Sequence, residues 1–200
     1  MDHKKIINEF FSKQCAEHHD QGWKTGLYDT PDNQYGTFVN LTKIIPPKES
    51  GTFLDVGCGQ GELYEFIDTR GIDVIYTGID LCPTMIGYAK ARFLDGNFEI
   101  QDLLEYDKQY DYIIAANAMN LKLPESQDLF VQEMIEKMFK LARKGIAFNL
   151  YSDIYLEERK PEIYYYSPST IFSFCLKLTP NIFLNHYCSG YDFCVYMYKN

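Results

Sequence analysis

The residues best suited to chemistry lie in the stretch 53–63, where three glycines stand at alternate positions behind an acid. The acid is Asp55 and the glycines are Gly57, Gly59 and Gly61. Glycine is used where the backbone needs a positive φ or where a ligand must approach it closely. The helical pattern that follows offers free N–H groups and a partial positive charge at its start. The stretch therefore predicts a buried strand, a glycine turn and a helix start that together bind a small ligand.

A second acid, Asp80, ends the apolar run 74–79. An acid at the end of the second strand is where the hydroxyls of a nucleoside ribose are held. The glycines follow the spacing G-x-G-x-G, whereas a dinucleotide fingerprint is G-x-G-x-x-G and leaves room for a pyrophosphate. The turn contains no lysine or arginine, and Glu62 follows it directly. This chemistry favours a ligand that has no phosphate group and carries a positive charge at one end. It therefore argues against a nicotinamide dehydrogenase, whose cofactor contains a pyrophosphate.

The segment 53–63 resembles motif I of the class I S-adenosylmethionine-dependent methyltransferases, and the segment 78–86 resembles their second motif. The resemblance extends more weakly over most of the chain. It implies a Rossmann-like α/β fold, S-adenosylmethionine as the cofactor and S-adenosylhomocysteine as its product. No metal is expected, because the six cysteines and four histidines show no metal-ligand spacing.

The resemblance also implies which residues bind the cofactor. They are Asp55, Gly57, Cys58, Gly59, Gly61, Asp80, Leu81, Met85, Asp102, Leu103 and Asn117. In the family the glycine turn meets the methionine end, and an acid in the position of Asp80 holds both ribose hydroxyls. An acid in the position of Asp102 accepts the adenine N6 hydrogens, and the next backbone N–H reaches a ring nitrogen. Two alternatives stay open, since Asp102 could instead cap a helix and Met85 could belong to the core.

The elements that must position these residues alternate between strand and helix, as in a parallel sheet with helices on both faces. Strands are predicted at 52–57, 74–79, 97–101, 110–116 and 145–150, and helices at about 60–69, 83–93 and 126–143. A last helix begins at Ser167-Pro168 and carries apolar positions to Leu178. Two closing strands, 182–187 and 192–198, are joined by a turn short enough for an antiparallel hairpin. The prediction is a seven-stranded, mostly parallel sheet.

The N-terminal part carries helical patterns at 3–20 and 38–45, and a polar stretch lies between them. That stretch, including residues 29–36 and Trp23, is predicted to be a loop or lid. The chain is expected to form a single domain over 1–200. Residues 1–48 would supply the helical cover, 52–150 the cofactor-binding core, and 151–200 the substrate-side segment with the closing hairpin.

Five residues are candidates to bind the methyl acceptor, because they fall at the carboxyl edge of the predicted sheet or in the lid. They are Trp23, Asn120, Asn149, Tyr166 and Tyr187. Several of them also resemble positions in a group of small bacterial methyltransferases that share Gly-Trp, Phe-Asn-Leu and aromatic-Tyr-x-Pro segments. That group tends to have a basic residue before the first strand, but residues 34–38 contain none. The Asn/Asp-Pro-Pro-aromatic motif of the family members that methylate DNA bases is also absent.

Methyl transfer requires a nucleophile held about 3 Å from the methyl group and a route for its proton. His186 is the candidate base, since the unperturbed histidine pKa of about 6.5 suits proton transfer near neutral pH. His18 and His19 are the alternatives in the lid. Tyr165 is a further candidate, as a hydrogen-bond donor rather than a base. Each histidine could equally be a surface or strand residue.

The composition limits the class of partner. A net charge of −9 argues against a protein that grips nucleic acid through its phosphates. No apolar run approaches the roughly 20 residues of a membrane span, and no signal peptide is recognised at the start. The cysteines include no C-x-x-C pair and are expected to be reduced thiols, which suggests a cytoplasmic location. A monomer or homodimer is expected.

The sequence therefore predicts transfer of a methyl group from S-adenosylmethionine to oxygen or nitrogen of a small-molecule acceptor. Surface-carbohydrate or secondary-metabolite building blocks fit the family association. One alternative is a methyltransferase of a protein or peptide side chain, which a flat, extended aromatic pocket would support. Another is a catalytically silent adenosylmethionine-binding module, which would keep Asp80 and the glycines but lack a base near the methyl group.

Overall fold

The structure of the chain is a computed structural model, which describes residues 3–124, 127–154 and 159–199. The strands are β1 (Gly51–Val56), β2 (Val74–Asp80), β3 (Phe98–Ile100), β4 (Tyr110–Ala115), β5 (Ala142–Tyr151), β6 (Ile182–His186) and β7 (Asp192–Tyr198). The helices are α1 (His3–His18), α2 (Gly22–Thr25), α3 (Pro31–Leu41), α4 (Glu62–Thr69), α5 (Pro83–Arg92), α6 (Gln127–Leu141) and α7 (Pro168–Cys175). The described residues also form two short 3₁₀ helices, Thr42–Ile44 and Leu103–Glu105.

The strands form one seven-stranded sheet in the order β3-β2-β1-β4-β5-β7-β6. Strands β1 to β5 pair in parallel, and β7 runs antiparallel between β5 and β6. This topology confirms the predicted parallel sheet with an antiparallel closing hairpin. Because β6 is again parallel to β5, its carboxyl end lies at the same edge of the sheet as those of β1 to β5.

Helices cover both faces of the sheet, because neighbouring residues of each central strand point to opposite sides. Phe53 of β1 packs in an apolar cluster with residues of α3, α4 and α5, whereas Leu54 packs in the cluster formed by α6 and α7. Both side chains are fully buried. The partly buried apolar side chains of α1 pack against the second cluster, near the carboxyl edge.

The predicted loop at 29–36 is wrong, because α3 already begins at Pro31. The hydroxyl of Thr30 accepts a hydrogen bond from the backbone N–H of Asn33 at 3.1 Å, which caps the helix. Proline at the first helical position lacks only an N–H that would have no partner inside the helix. The sequence contained both signals, but the polar composition of the stretch concealed them. Trp23 likewise lies in the short helix α2 rather than in a loop.

The other boundaries shift by a few residues. Strand β5 begins three residues before its predicted start, because Ala142 pairs with Tyr110 and extends the ladder with β4 past a register irregularity. Helix α6 accordingly ends at Leu141, and α7 ends at Cys175 instead of continuing to Leu178.

Helix α3 is fastened to the closing hairpin. The amide of Asn33 donates to the carbonyl of Ser189 at 2.8 Å, and the amide of Asn40 donates to the carbonyl of Cys188 at 2.9 Å. The hydroxyl of Tyr196 in turn donates to the carbonyl of Asn40 at 2.8 Å. The N-terminal cover is thereby held against the carboxyl edge of the sheet. Within the described ranges, none of the helices combines the length and apolar character that a membrane span requires.

Candidate functional site

The glycine turn after β1 has the backbone shape that its sequence predicts. Gly57, Gly59 and Gly61 have φ values of 72°, 56° and 88°, which side chains rarely tolerate. A Cβ added to Gly57 would lie 2.5 Å from the Cβ of Ala118, whereas the nearest atom to one on Gly59 would be 3.6 Å away. Gly57 is therefore needed for close packing, whereas a Cβ at Gly59 would make only an ordinary contact with Glu62.

Asp80 lies at the end of β2, directly beside this turn. One carboxylate oxygen accepts from the backbone N–H of Gly59 at 3.0 Å, and the other accepts from the N–H of Cys82 at 2.8 Å. Burial raises the pKa of Asp80, and these backbone bonds oppose the increase. Among the described residues it forms no ion pair, so both oxygens keep lone pairs for hydroxyl groups of a ligand.

Asp55 lies below the turn and is only 1% exposed. Its Oδ2 accepts from the hydroxyl of Tyr76 at 2.7 Å, whereas Oδ1 has no partner within the described part of the chain. Burial raises the pKa of Asp55 to about 7, while the Tyr76 hydroxyl lowers it and the charges of Asp80 and Glu62 raise it further. A buried carboxylate oxygen without a partner indicates a place where a ligand donates a hydrogen bond.

A cavity with about 1140 Å³ of empty space, counted out to its mouth, opens above the turn. All but one of the predicted cofactor-binding residues line it, namely Asp55, Gly57, Cys58, Gly59, Asp80, Leu81, Met85, Asp102, Leu103 and Asn117. The exception is Gly61, which precedes α4 and packs against Phe93 and Phe98.

Asp102 has the capping role that the sequence left open, and its contact with an adenine stays a prediction. Its Oδ1 accepts from the N–H of Leu104 at 2.9 Å and so caps a 3₁₀ turn. Its Oδ2 lies 2.9 Å from Nζ of Lys4, which also pairs with Glu105 at 2.6 Å. Asp102 nevertheless lines the cavity, and the start of α1, with His3 and Lys4, lines the same end of the cavity.

Three asparagines at the ends of β4 and β5 form one buried network. The Oδ1 of Asn149 accepts from the backbone N–H of Asn117 at 2.7 Å, and its amide donates to Asp192 at 2.9 Å. The amide of Asn120 donates to Oδ1 of Asn117, and its own Oδ1 accepts from the N–H of Tyr151 at 3.1 Å. Only Asn117 of the three lines the cavity. Asn120 and Asn149, predicted as acceptor-binding residues, do not line the cavity, and each uses its amide and its Oδ1 in a bond that holds the strand ends together.

The predicted base, His186, is not brought into the cavity. It lies on β6, four strand positions from β1, and a strand spacing of about 4.8 Å places it roughly 19 Å away across the sheet. Its Nε2 is 2.9 Å from the hydroxyl of Ser152, and its ring stacks on Phe193. The sequence placed His186 at the correct edge of the sheet, but it could not show that β7 lies between β5 and β6.

The remaining candidates for catalysis and acceptor binding also lie outside the described cavity lining. They are His18, His19, Trp23, Tyr165, Tyr166 and Tyr187. The hydroxyl of Tyr166 donates to the carbonyl of Met119 at 2.6 Å, and that of Tyr165 accepts from the N–H of Lys160 at 3.0 Å. Tyr187 is 59% exposed at the hairpin turn. These tyrosines thus fix the segment before α7 or face the solvent.

Several lining residues had not been singled out from the sequence. The most informative are Tyr28 between α2 and α3, Gln34 near the start of α3, and His3 and Lys4 at the start of α1. The hydroxyl of Tyr28 is buried and has no partner among the described residues. The prediction of an N-terminal helical cover was the available signal, but it did not identify individual side chains. No group of described residues has the His, Cys, Asp and Glu arrangement that would hold a metal ion.

The observed residues fit a nucleoside ligand that carries an uncharged or positive tail. Asp80 has carboxylate lone pairs available, and Asp55 offers a carboxylate oxygen without a partner among the described residues. Within the described lining, basic side chains occur only at the α1 end, as His3 and Lys4. A cation near the glycine turn, Arg92, donates to the carbonyl of Gln60 at 3.1 Å but is already paired with Glu62 and Glu65. The geometry therefore matches the ligand chemistry that the glycine spacing predicts.

Comparisons with known proteins agree with this geometry. The model of a family described as "Methyltransferase domain" matches residues 53–145, which run from β1 into β5. A Mycobacterium tuberculosis protein, named provisionally as a methyltransferase, is 27% identical over 165 residues that cover 78% of this chain and 98% of that one. The malonyl-[acyl-carrier protein] O-methyltransferase of Acetivibrio thermocellus is 41% identical over 116 residues, but these cover 56% of this chain and only 38% of the relative.

Solved structures support the same architecture. Magnesium protoporphyrin IX methyltransferase from Synechocystis, crystallised with S-adenosylmethionine, superimposes with a TM-score of 0.72. The superposition covers 100% of this chain and 98% of that one at 16% sequence identity, so the likeness concerns the fold.

Proposed function

Because this chain is a class I S-adenosylmethionine-dependent methyltransferase, we propose that it methylates oxygen or nitrogen of a small-molecule acceptor. The observation that carries this proposal is the roofed cavity above the glycine turn, lined by Asp55, Asp80 and Asp102. The N-terminal helices close it from above, and a peptide substrate would instead need a flat, extended groove. Surface-carbohydrate or secondary-metabolite building blocks are acceptors consistent with the family resemblance.

The residues near the glycine turn are proposed to hold the methyl donor. Asp80 would accept the ribose hydroxyls, since its carboxylate is already oriented by the N–H groups of Gly59 and Cys82. Leu81 and Leu103 would enclose the adenine, and Asp102 would lie at the edge of the adenine ring. Because Lys4 pairs with the Asp102 carboxylate, Lys4 would have to move or share that carboxylate with the adenine. When bound, S-adenosylmethionine supplies a methyl group already activated by the positive charge on its sulfur.

The chain itself is proposed to act by orientation and by excluding water. Apolar side chains of α1 and α3, such as Phe11 and Phe38, line the cavity and keep the reacting groups in a dry environment. Within such a cavity a fixed orientation supplies much of the rate increase of a two-substrate reaction. Asn117 lines the cavity after β4, with a φ of 60° that Asn149 and Asn120 hold in place. It would contribute a rigid wall beside the acceptor.

Calorimetry with S-adenosylhomocysteine tests the donor part of this proposal. We expect binding that NADH does not compete with, and Asp80→Asn should weaken it by about 1–3 kcal/mol because a charged hydrogen-bond acceptor is lost. This corresponds to roughly fivefold to 150-fold in Kd. Asp73→Asn changes an exposed acid before the same strand and serves as the control. Unchanged affinity in Asp80→Asn, with the control also unchanged, would remove the ribose assignment.

Methyl-labelled S-adenosylmethionine tests the acceptor part. After incubation with a metabolite extract, we expect the label in the small-molecule fraction, bound to oxygen or nitrogen. Recovery of the label in the protein fraction would instead favour a protein or peptide side chain as the acceptor.

A further inference from the structure

Glu62, the first residue of α4, lines the cavity directly after the glycine turn. Its side chain is 15% exposed, so the carboxylate is largely withdrawn from water. A buried charge is costly unless a charged or hydrogen-bonding group lies beside it. The groups around the Glu62 carboxylate therefore bear on what this part of the cavity can bind.

Arg92, the last residue of α5, contacts Glu62 from behind. Its Nη1 donates to Oε1 of Glu62 at 2.7 Å and to the carbonyl of Gln60 in the glycine turn at 3.1 Å. Its Nη2 pairs with Glu65 at 3.0 Å, whose side chain is 54% exposed. Arg92 is not among the described residues that line the cavity. It thus holds one oxygen of Glu62 and the backbone of the turn from outside the cavity.

The N-terminal cover closes on the same oxygen of Glu62. A Cβ added to Gly22, the first residue of α2, would overlap with Oε1 and with the carboxyl carbon of Glu62. Glycine lets the backbone of α2 approach the carboxylate this closely. Gly22 belongs to the Gly-Trp segment that resembles a group of small bacterial methyltransferases, and this contact gives the glycine a physical reason. Oε1 is thus enclosed between Arg92 and the cover.

The second oxygen of Glu62, Oε2, lies beside the glycine turn. It is 3.6 Å from the place that a Cβ on Gly59 would take, and the N–H of the same glycine donates to Asp80. A carboxylate has about four lone-pair positions, so Glu62 can accept bonds besides the one from Arg92. Glu62 and Asp80 therefore lie beside the same glycine, and a ligand held by its ribose at Asp80 can extend past Gly59 to Glu62.

The charge of Glu62 depends on Arg92. Burial raises the pKa of the Glu62 carboxyl, whereas the charge and hydrogen bond of Arg92 and the N–H groups of Gln60 and Glu62 itself lower it. The charge of Glu62 in turn raises the pKa of Asp55, so the two carboxylates repel each other. A positively charged ligand group between them would relieve this repulsion and favour both ionised forms.

From these contacts, and resting on the donor site of the proposed function, we infer that Glu62 binds the α-ammonium group of S-adenosylmethionine and that Arg92 is its positioning residue. An ammonium group has three N–H donors, so one can meet Oε2 of Glu62. Another can meet Oδ1 of Asp55, which has no partner among the described residues. Arg92 acts through Glu62, which it keeps ionised and in place, and not on the ligand.

The test compares S-adenosylhomocysteine with its deaminated analogue, which lacks only the α-amino group. Calorimetry on the wild type should give a Kd at least about tenfold weaker for the analogue, as expected when a bond between charged groups is lost. In Glu62→Gln, S-adenosylhomocysteine should lose about tenfold in affinity, and the two ligands should then bind within about threefold of each other. Glu65→Gln is the matched control, because Glu65 also pairs with Arg92 but is not among the described lining residues. It should keep the wild-type difference.

A Glu62→Gln variant that keeps the wild-type difference would overturn the inference, and so would a wild type that binds the two ligands equally. Asp80→Asn separates these outcomes from the donor site of the proposed function, because loss of the ribose contact should weaken both ligands alike. A wild type that binds neither ligand would overturn that donor site, and this inference with it.

Arg92 is tested by its charge and by pH. Arg92→Gln should weaken binding of S-adenosylhomocysteine more at pH 6 than at pH 8, because loss of the cation raises the pKa of Glu62 and a protonated carboxyl cannot pair with an ammonium. Arg92→Lys keeps the charge and should restore the affinity to within about threefold of wild type. In the Glu62→Gln background, Arg92→Gln should have almost no further effect. An equal loss in both backgrounds would show that Arg92 only supports the turn and would overturn its positioning role.

The pH comparison uses the ratio of Kd between Arg92→Gln and wild type, because other groups around Glu62 also titrate. Asp55, with a pKa of about 7, affects donor binding in both proteins, so its effect cancels in the ratio. Burial raises the pKa of the Cys15 thiol to about 11, so this group stays neutral. The other titratable groups that face Glu62 are Asp80, Glu65, Cys58 and Tyr76. A ratio that stays constant between pH 6 and pH 8 would overturn the role of Arg92 in keeping Glu62 ionised.

Discussion

The backbone N–H of Asn117 donates to the side-chain Oδ1 of Asn149 at 2.7 Å, so the residue that follows β4 is tied to the neighbouring strand β5. The amide of Asn149 continues the connection to Asp192 at 2.9 Å. The amide of Asn117 extends it in the other direction to the carbonyl of Gly26 in the cavity roof. One chain of hydrogen bonds thus joins the roof, the sheet edge and the closing hairpin.

Asn149→Ala should destabilise the fold. It leaves the N–H of Asn117 and one oxygen of Asp192 buried without their present partner, and each such group costs about 1–3 kcal/mol. We expect the free energy of unfolding in urea to fall by about 2–4 kcal/mol. Asn185→Ala, a half-buried position on β6, is the control and should change it by less than about 1 kcal/mol. Equal losses in the two variants would contradict the role of the network.

Gly57→Ala should damage both stability and donor binding. The φ of 72° is unfavourable for alanine, and the added Cβ would lie 2.5 Å from that of Ala118. Left-handed strain and overpacking together predict a loss of about 2–4 kcal/mol in thermal or urea unfolding. Gly87→Ala is the matched control, because it lies within α5 and its added Cβ has no described neighbour within 4 Å. The control should instead stabilise the helix by up to about 1 kcal/mol.

The burial of Asp55 should make stability depend on pH. Burial raises its pKa from 3.8 to about 7, so between these values the folded state binds the proton more tightly than the unfolded state. The free energy of unfolding should therefore fall as pH rises through this window, by up to about 1.4 kcal/mol for each pH unit. Asp55→Asn removes the titrating group and should reduce the slope measured by urea unfolding between pH 5 and pH 8.

Other buried acids also contribute to the change of unfolding free energy with pH. The control variant must therefore replace an acid whose pKa is not raised. Burial also raises the pKa of Glu62, Asp80 and Asp192, so the variant should reduce the slope without abolishing it. The pKa of Asp111 is lowered: burial raises it, but hydrogen bonds from Thr52 outweigh that effect. Asp111→Asn should accordingly leave the slope between pH 5 and pH 8 unchanged. An Asp55→Asn variant with the wild-type slope would show that Asp55 is ionised throughout.

His186→Ala should leave methyl transfer nearly unchanged. A general base contributes about 10²–10⁴-fold to a rate, but the strand order separates this histidine from the glycine turn by four strand positions. We expect kcat/KM within about threefold of wild type, with the acceptor found by label transfer. A loss above a hundredfold, with S-adenosylhomocysteine affinity retained, would restore His186 as the base predicted from the sequence.

The sequence by itself determined the features that depend on neighbouring residues. Alternating glycines after an apolar run impose a turn of positive φ, and the acids at the ends of β1 and β2 follow from their place in the chain. The same local patterns predicted the seven strands and ten of the residues that line the cavity. They missed the start of α3, because a polar helix capped by Thr30 resembles a loop in composition.

Only the tertiary structure decided the rest of the cavity lining. Contacts between residues far apart in sequence place β7 between β5 and β6, so His186 lies far from the glycine turn. Other long-range contacts hold the α2–α3 segment over the sheet, so Tyr28 lines the cavity. Asn149 was recognised at the correct edge, but its hydrogen-bonding groups are already used by Asn117 and Asp192. Side-chain partners of this kind depend on the lateral order of strands and on long-range packing, and no local pattern of residue types encodes either one.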